Sequence, residues 1–348
     1  MKIKFLPLVA AFMFFGSAKT FAQFEFPVEV PQQSQLASIS QTVGVTNIEV
    51  DYSRPSVRGR EIFGKLIPYG KVWRAGANAN TTITFSTEVS IDGQTIPAGT
   101  YGFHIIPNKG NWTIILNKEN EAWGSYFYNQ EEDVLRFEVS PKEVAMTEQV
   151  TFDFSDVEKN SAVLNLSWAT SEISFKINVD TDKLTVASLQ KQLNSRPWWG
   201  WTGPYKAAQY CLDNNVNLDQ ALTWVNRSIQ NQENFSNTLL KSQLLEKLGK
   251  STEAKSEKEK AFSLATVNDL TRYAYYEFLK KNNDEGIRAL KLGVKNNPKN
   301  ANAYSALAWG YTKINDNKNA LKNYKKALKY TSSEEKTRIQ KAIDNLKK

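Results

Sequence analysis

Among 348 residues there is one cysteine, Cys211, and one histidine, His104. A lone cysteine excludes an intramolecular disulfide, so stability has to come from packed cores. A lone histidine excludes zinc sites that need two or three imidazoles. GxGxxG, GxxxxGK[ST], GxSxG, HExxH and CxxC are all absent. With them go the strong signatures of nucleotide binding, serine hydrolysis, zinc proteolysis and dithiol chemistry. No motif calls for a metal or another cofactor, and acidic stretches such as 131–133 and the Asp180/Asp182 pair read as solvated loops. After the first 22 residues, no apolar run reaches the ~18 needed to span a bilayer.

Those first 22 residues have the form of a secretory signal. Lys2 and Lys4 open it, an apolar segment covers 5–16, and Thr20-Phe21-Ala22 puts small residues at the cleavage positions. The expected mature protein starts at Gln23, is exported to the periplasm or beyond, and carries no transmembrane segment after signal removal. Its charge is unevenly spread. Residues 23–195 hold 14 basic and 21 acidic side chains, net −7, whereas 196–348 hold 27 and 15, net +12. Such asymmetry indicates two domains. For an exported chain, lysine-rich solvated helix faces explain the excess better than a nucleic-acid partner does.

From 35 to 180, short runs alternate with period two between turn residues. Candidate strands are 36–42, 47–52, 81–86, 88–91, 101–106, 112–117, 134–139, 149–154, 162–169 and 172–179. Asp92-Gly93 and Asn108-Lys109-Gly110 are hairpin signals. Thr170 and Ser171, between the last two candidates, mark a tight reversal or a bend. The pattern predicts an N-terminal antiparallel β-sandwich or barrel over 31–180.

Within it, 51–80 (DYSRPSVRGREIFGKLIPYGKVWRAGANAN) is punctuated by Gly59, Gly64, Gly70, Gly76, Pro55 and Pro68 and reads as loop. Arg54, Arg58, Arg60, Lys65, Lys71 and Arg74 outnumber Asp51 and Glu61, net +4. Guanidinium forks suit carboxylate or phosphate. With Tyr69, Trp73 and Asn78 nearby, Arg54, Arg58, Arg60, Lys71 and Arg74 are candidates for binding an anionic small molecule, a glycan or an acidic peptide. The alternative is structural: the arginines pair with Asp51, Glu131, Glu132 or Asp133 and hold the long loops, with Asn78 and Asn80 bracing them. His104 is the only conventional general base, on a strand face shared with Gly102 and Ile106. A hydrolase built on it would draw a nucleophile from nearby, Ser125 for example. Trp123 and Tyr126 would join the same pocket if these groups converge.

The blocks RPSVRGREIFGKLIPYGKVWRAGANANTTITFS, IPAGTYGFHIIP, NWTIILNK, WGSYFYN and DVLRFEV, in this order and spacing, resemble the bacterial family catalogued as domain of unknown function 2911. The resemblance covers about 31–180. It implies a β-rich exported domain of Gram-negative bacteria and assigns no catalytic residue.

Past Asn194 the periodicity becomes helical. Small residues recur at Ala221, Ala254, Gly286 and Ala320, and seven positions later at Ser228, Ala261, Gly293 and Ala327. Residues seven apart share a helix face, and small ones admit a close neighbour. A period near 34 resembles the tetratricopeptide repeat. Helix pairs are expected near 204–230, 235–264, 268–295 and 301–329, with a capping helix at 334–347, making 204–348 a helical repeat domain. The connection 181–203 contains Arg196-Pro197-Trp198-Trp199-Gly200-Trp201-Thr202-Gly203-Pro204. It is expected to be non-helical and to act as an aromatic wedge against the β domain. Cys211 reads as a buried helical thiol.

These readings favour a non-enzymatic binding protein, with a ligand near the arginine loop and a peptide or protein on the repeats. A hydrolase using His104 and a structural envelope component are the alternatives.

Overall fold

The computed structural model describes residues 30–346; the signal segment expected at 1–22 lies outside them. Ten strands come first: β1 (Leu36–Val43), β2 (Thr46–Ser53), β3 (Thr81–Phe85), β4 (Val89–Ile91), β5 (Gln94–Ile96), β6 (Gly99–Ile106), β7 (Trp112–Asn117), β8 (Asp133–Val139), β9 (Lys142–Glu158) and β10 (Ser161–Asn178). They form two antiparallel sheets, ordered β1-β2-β3-β6-β7-β8 and β5-β4-β10-β9. Alternation drives the layering. In β3 the odd positions Thr81, Ile83 and Phe85 are buried and the two between are only partly so. Both sheets contribute to one core. Phe103 of β6 stands 5.6 Å from Phe152 of β9 and 6.0 Å from Phe175 of β10, while Trp168 of β10 stacks on Trp73 at 5.4 Å.

Three strand expectations change. β5 was not expected, since Gln94-Thr95-Ile96 holds only one apolar residue; the Asp92-Gly93 turn builds it. Both residues have positive φ, +49° and +74°, which matches the twist of a tight hairpin. The 162–169 and 172–179 candidates are one strand, β10. Ala169 takes φ +52° and the pairing with β9 shifts there, so of the two readings of Thr170-Ser171 the bend holds, made by a bulge, and the reversal does not. β9 extends well beyond 149–154 because it pairs with β10 along this bent length.

Helices follow: α1 (Thr181–Leu193), α2 (Thr202–Asn214), α3 (Leu218–Asn231), α4 (Phe235–Lys247), α5 (Ser251–Leu264), α6 (Val267–Leu279), α7 (Asn283–Asn296), α8 (Ala301–Lys313), α9 (Asn317–Tyr330) and α10 (Ser333–Asn345). The pairs α2/α3, α4/α5, α6/α7 and α8/α9 fall where the repeat spacing puts them. The small residues lie on the second helix of each pair and are buried. Their size matters. A Cβ on Gly286 of α7 would sit 2.9 Å from the Phe278 ring of α6. Among the described residues no helix is long and apolar enough to cross a membrane.

The connection between the halves differs from the expected wedge. Residues 181–193 are helical, and α1 itself makes the joint. Leu184 packs on the β core, whereas Val186 and Leu193 pack on the helical core. Asp182 accepts from Lys159 Nζ and Tyr210 Oη at 2.8 and 2.7 Å. The tryptophan segment turns in a 3-10 helix (Arg196–Trp199) and binds the helical half, not the β domain. Trp198 joins the core of α1–α4. Its carbonyl accepts from Asn231 at 2.8 Å, and Ser228 donates to the Trp201 carbonyl at 2.7 Å. Trp199 stays three-quarters exposed with Arg227 above its ring. Helix α2 starts despite Gly203 and Pro204, because proline in a first turn gives up an N–H that has no helical partner. Cys211 is buried on α2, and burial pushes its thiol up to about 11.

Candidate functional site

The candidate residues of the β domain separate into two groups. Arg54 donates through Nε to the Val150 carbonyl (2.9 Å) and through Nη2 to Thr151 (2.8 Å), tying the 51–80 loop to β9. Arg60 turns back on its own loop, to the carbonyls of Val57 and Ser56. Arg58 has φ +50°, and its Nη1 reaches Gln33. Trp73 is core, donating Nε1–H to the Gly76 carbonyl. Tyr69 covers Gly64, Lys71 faces solvent, and Asn78 donates to the Ser34 carbonyl and Ser53. Arg54, Arg58 and Arg60 therefore hold loops and do not share an anion pocket. Nor do they pair with acids: among the described residues no ion pair joins an arginine of the loop to Asp51, Glu131, Glu132 or Asp133, and Asp133 pairs with Arg136 at 3.0 Å.

Arg74, His104, Trp123 and Tyr126 do come together, on the sheet face away from the core. His104 is 1% exposed, yet Ile115 opposite it lies outside the core cluster although fully buried. The β7–β8 connection covers both. Asn80 N–H donates to the Ala122 carbonyl (3.0 Å) and Gly124 N–H to the Asn78 carbonyl (3.2 Å), while Ala79 bridges Trp123. Gly102 is needed beneath this cover, since a Cβ there would collide with the Glu119 carbonyl oxygen. Ladder register brings in two more groups. The Thr81–Phe103 and Trp73–Ile105 pairings flank His104 on the same edge of β6, so the segments carrying Asn80 and Arg74 both reach that edge beside it.

The electrostatics follow from burial. Desolvation lowers His104 to about 4; Asp133 opposes the shift and Arg74 adds to it, so the imidazole is neutral at pH 7. Burial likewise holds the Arg74 guanidinium below its ordinary value. Tyr128 packs edge-on to His104, ring centroids 5.4 Å apart, and donates to Asp133 at 2.8 Å. Burial first and that carboxylate second raise Tyr128 to about 12. Arg136 reaches both Tyr128 and Asp133. Among the described residues no hydrogen bond joins His104 to Ser125. Among the described residues no cluster of three or more His, Cys, Asp or Glu is placed to hold a metal.

A second candidate site lies in the helical half. The first helices α2, α4 and α6 line a groove of about 1000 Å³ with Trp201, Tyr205, Leu239, Gln243, Arg272 and Tyr276 among its walls. Repeat spacing predicts the helix pairs, but which side chains face the groove depends on how successive pairs stack.

Residues 34–177 match a family described as "Protein of unknown function (DUF2911)". The β region is a DUF2911 domain. Among curated proteins none matches the chain. Solved structures resembling it include MamA from Desulfovibrio magneticus RS-1 (16% identity, 42% of this chain and 82% of that one, TM-score 0.26). Another is YrrB, described as a TPR protein with an unusual peptide-binding site (16%, 43% and 77%, TM-score 0.24). A third is pilF of Pseudomonas aeruginosa (12%, 42% and 67%, TM-score 0.26). Scores this low bear neither on the curvature of the array nor on its ligands. The DUF2911 domain is thus followed by an array recognised by its own helix pairs.

Proposed function

We propose that the chain is an exported, non-enzymatic binding protein whose helical array takes an extended segment of a partner protein along the α2–α4–α6 groove. The groove itself carries this reading: it runs across three successive helix pairs and offers aromatic and amide side chains at once. Tyr205, Tyr273 and Tyr276 supply rigid apolar area, and the exposed Tyr276 adds a polar tip, which suits recognition of a peptide. Gln243 offers a donor and an acceptor to a peptide backbone. The cations Lys247, Arg272 and Lys280 stand among the acids Asp213, Glu246 and Glu277, so the groove itself is mixed in charge. The surrounding half is net +12, which speeds encounter with a segment flanked by acidic residues. Export, to the periplasm of a Gram-negative cell, rests on the signal-like residues 1–22 and the family.

The test is selection from a random peptide display library on the mature chain, followed by titration of the selected peptides. Peptides that bind the wild type and lose about tenfold or more in affinity to Tyr276→Ala support the reading; Tyr276 is half-exposed, so its loss leaves the fold intact. Peptides whose affinity is unchanged in that variant and in Tyr205→Ala refute it.

A further inference from the structure

Three buried polar atoms without hydrogen-bond partners belong to residues beneath the β7–β8 connection of the DUF2911 domain: Arg74 Nε, Asn80 Oδ1 and His104 Nδ1. Buried polar groups are nearly always satisfied, and an orphan bears an uncompensated desolvation cost, larger when it is charged. Contacts with the β7–β8 connection gather the three residues: Asn80 donates through Nδ2 to the Glu119 carbonyl at 3.4 Å, a Cβ on Gly102 would meet both that oxygen and His104 Nε2, and one on Gly124 would meet Arg74 Nη1. Arg74 also has no carboxylate partner in any ion pair among the described residues. Asp133, the acid that acts on His104, is already engaged by Arg136, Tyr128 and Asn117. A half-buried guanidinium without a counter-charge is a standing demand for an anion.

The surroundings narrow the anion. A Cβ at Gly124 would lie 3.1 Å from both Arg74 Nη1 and the Tyr126 ring, so guanidinium and phenol border the same small residue. Trp123, Tyr126 and Phe127 on this loop are 59%, 84% and 71% exposed. An exposed aromatic cluster of this kind marks a binding surface. The orphaned atoms differ in kind: Arg74 Nε donates, neutral His104 offers Nδ1 as a donor or an acceptor, and Asn80 Oδ1 accepts. Their complement is a molecule carrying a carboxylate, a hydroxyl hydrogen for Asn80, and an apolar face for the aromatic rings.

We propose that Arg74, His104 and Asn80, with Trp123 and Tyr126 at the rim, form a binding site for a hydroxylated carboxylate of the uronic-acid sugar class. Arg74 takes the carboxylate, Asn80 accepts from a ring hydroxyl, and the C–H face of the sugar lies on an aromatic ring. The site stands apart from the helical groove, and neither depends on the other.

The experiment compares wild type with Arg74→Gln and Trp123→Ala, using D-glucuronate, D-galacturonate and a galacturonate oligosaccharide as ligands. D-glucose lacks the carboxylate and acetate lacks the hydroxylated ring, so these two are the controls. The readouts are the melting temperature and tryptophan fluorescence. A uronate is expected to raise the melting temperature saturably and to perturb the fluorescence, with neither control doing so. Arg74→Gln should abolish both responses, and Trp123→Ala should weaken binding about tenfold. A response to the oligosaccharide alone identifies the sugar acid as a unit of a polymer; a response to the monosaccharide as well identifies a free sugar acid. Should Arg74→Gln fail to fold, the contrast between uronate and glucose on wild type, together with exposed Trp123→Ala, still decides. Equal responses to uronate and glucose, a response unchanged in the variants, or no response to any uronate would overturn the proposal.

Discussion

The two halves bury apolar surface in different ways. The DUF2911 domain closes two sheets on a single core, in which Trp73, Trp168, Phe103, Phe152 and Phe175 touch across the layers. The helical half has separate clusters, each shared by neighbouring helices, such as Phe235, Phe262 and Leu270 in one and Tyr304, Ile339 and Ile343 in another. A closed core ties distant residues together and leaves function to loops on its outer face. A stack of pairs leaves a continuous face open along its length. Hence Arg74, His104, Trp123 and Tyr126 of the first half gather at one loop, while the groove-lining residues of the second are spread over three helices.

The largest expected effect separates the halves outright. Trp168 is buried and stacked on Trp73, so Trp168→Ala should destabilise the β domain by about 3–5 kcal/mol. Denaturant unfolding followed by near-ultraviolet and 222 nm circular dichroism should show the β transition moving while most helical signal stays. Simultaneous loss of both would mean that α1 couples the halves into one unit.

Within the array, Gly310 of α8 faces Leu290, Ile287 and Phe278, and a Cβ there would collide with Leu290. Gly310→Ala should cost about 1–3 kcal/mol in overpacking, offset by ~1 kcal/mol of helix propensity. Amide exchange should quicken in α6–α9 and change little in α2 and α3. Uniform quickening would argue against local clusters.

Acid provides a third lever. Glu285 accepts a bidentate pair from Arg288 (2.6 and 2.7 Å) and bonds from Tyr273 and Lys258 at 2.9 Å each. The Arg288 hydrogen bonds above all hold its carboxyl at about 2, below the ordinary 4.5. A depressed carboxylate contributes stability above its unfolded pKa, and that contribution fades as pH falls from about 4.5 to about 2. With allowance for partial solvation, about 2 kcal/mol of helical stability should vanish across this window. In Glu285→Gln the melting temperature should change less with pH over that range. An unaltered slope would show that the network does not carry it.

The smallest effect belongs to the joint. Lys159, half-exposed, pairs with Asp182 at 2.8 Å, and Lys159→Ala should cost no more than ~1 kcal/mol by thermal melting. A larger loss would make this surface contact, and not the packing of Leu184 and Val186, the main tie between the halves.

Much of this was legible in the residues. Period-two alternation located the strands, and small residues recurring near every 34 positions located the helix pairs, because both reflect burial along a single element. The gaps come from relations between elements. The β10 bulge at Ala169 depends on pairing with β9, and three-residue β5 depends on its turn. Composition shows neither which half the tryptophan segment packs on nor that Trp199 stays exposed. In the arginine loop, residue type alone does not distinguish Arg54 and Arg60, engaged by carbonyls and the Thr151 hydroxyl, from Arg74, whose Nε has no hydrogen-bond partner. Alternation did place His104 on the face of Gly102. Finding Asn80 and Arg74 beside it required the register of two loop segments against β6, and Tyr128 and Arg136 required the fold of the β7–β8 connection.

The central claim is that the open face of the stack is the binding surface for a partner segment. Hydrogen exchange of the mature chain, with and without a peptide selected on it, tests this most directly. Protection confined to α2, α4 and α6, and lost in Tyr276→Ala, is the predicted result. Protection of α3, α5 and α7, or of the DUF2911 domain with the groove unchanged, would contradict it.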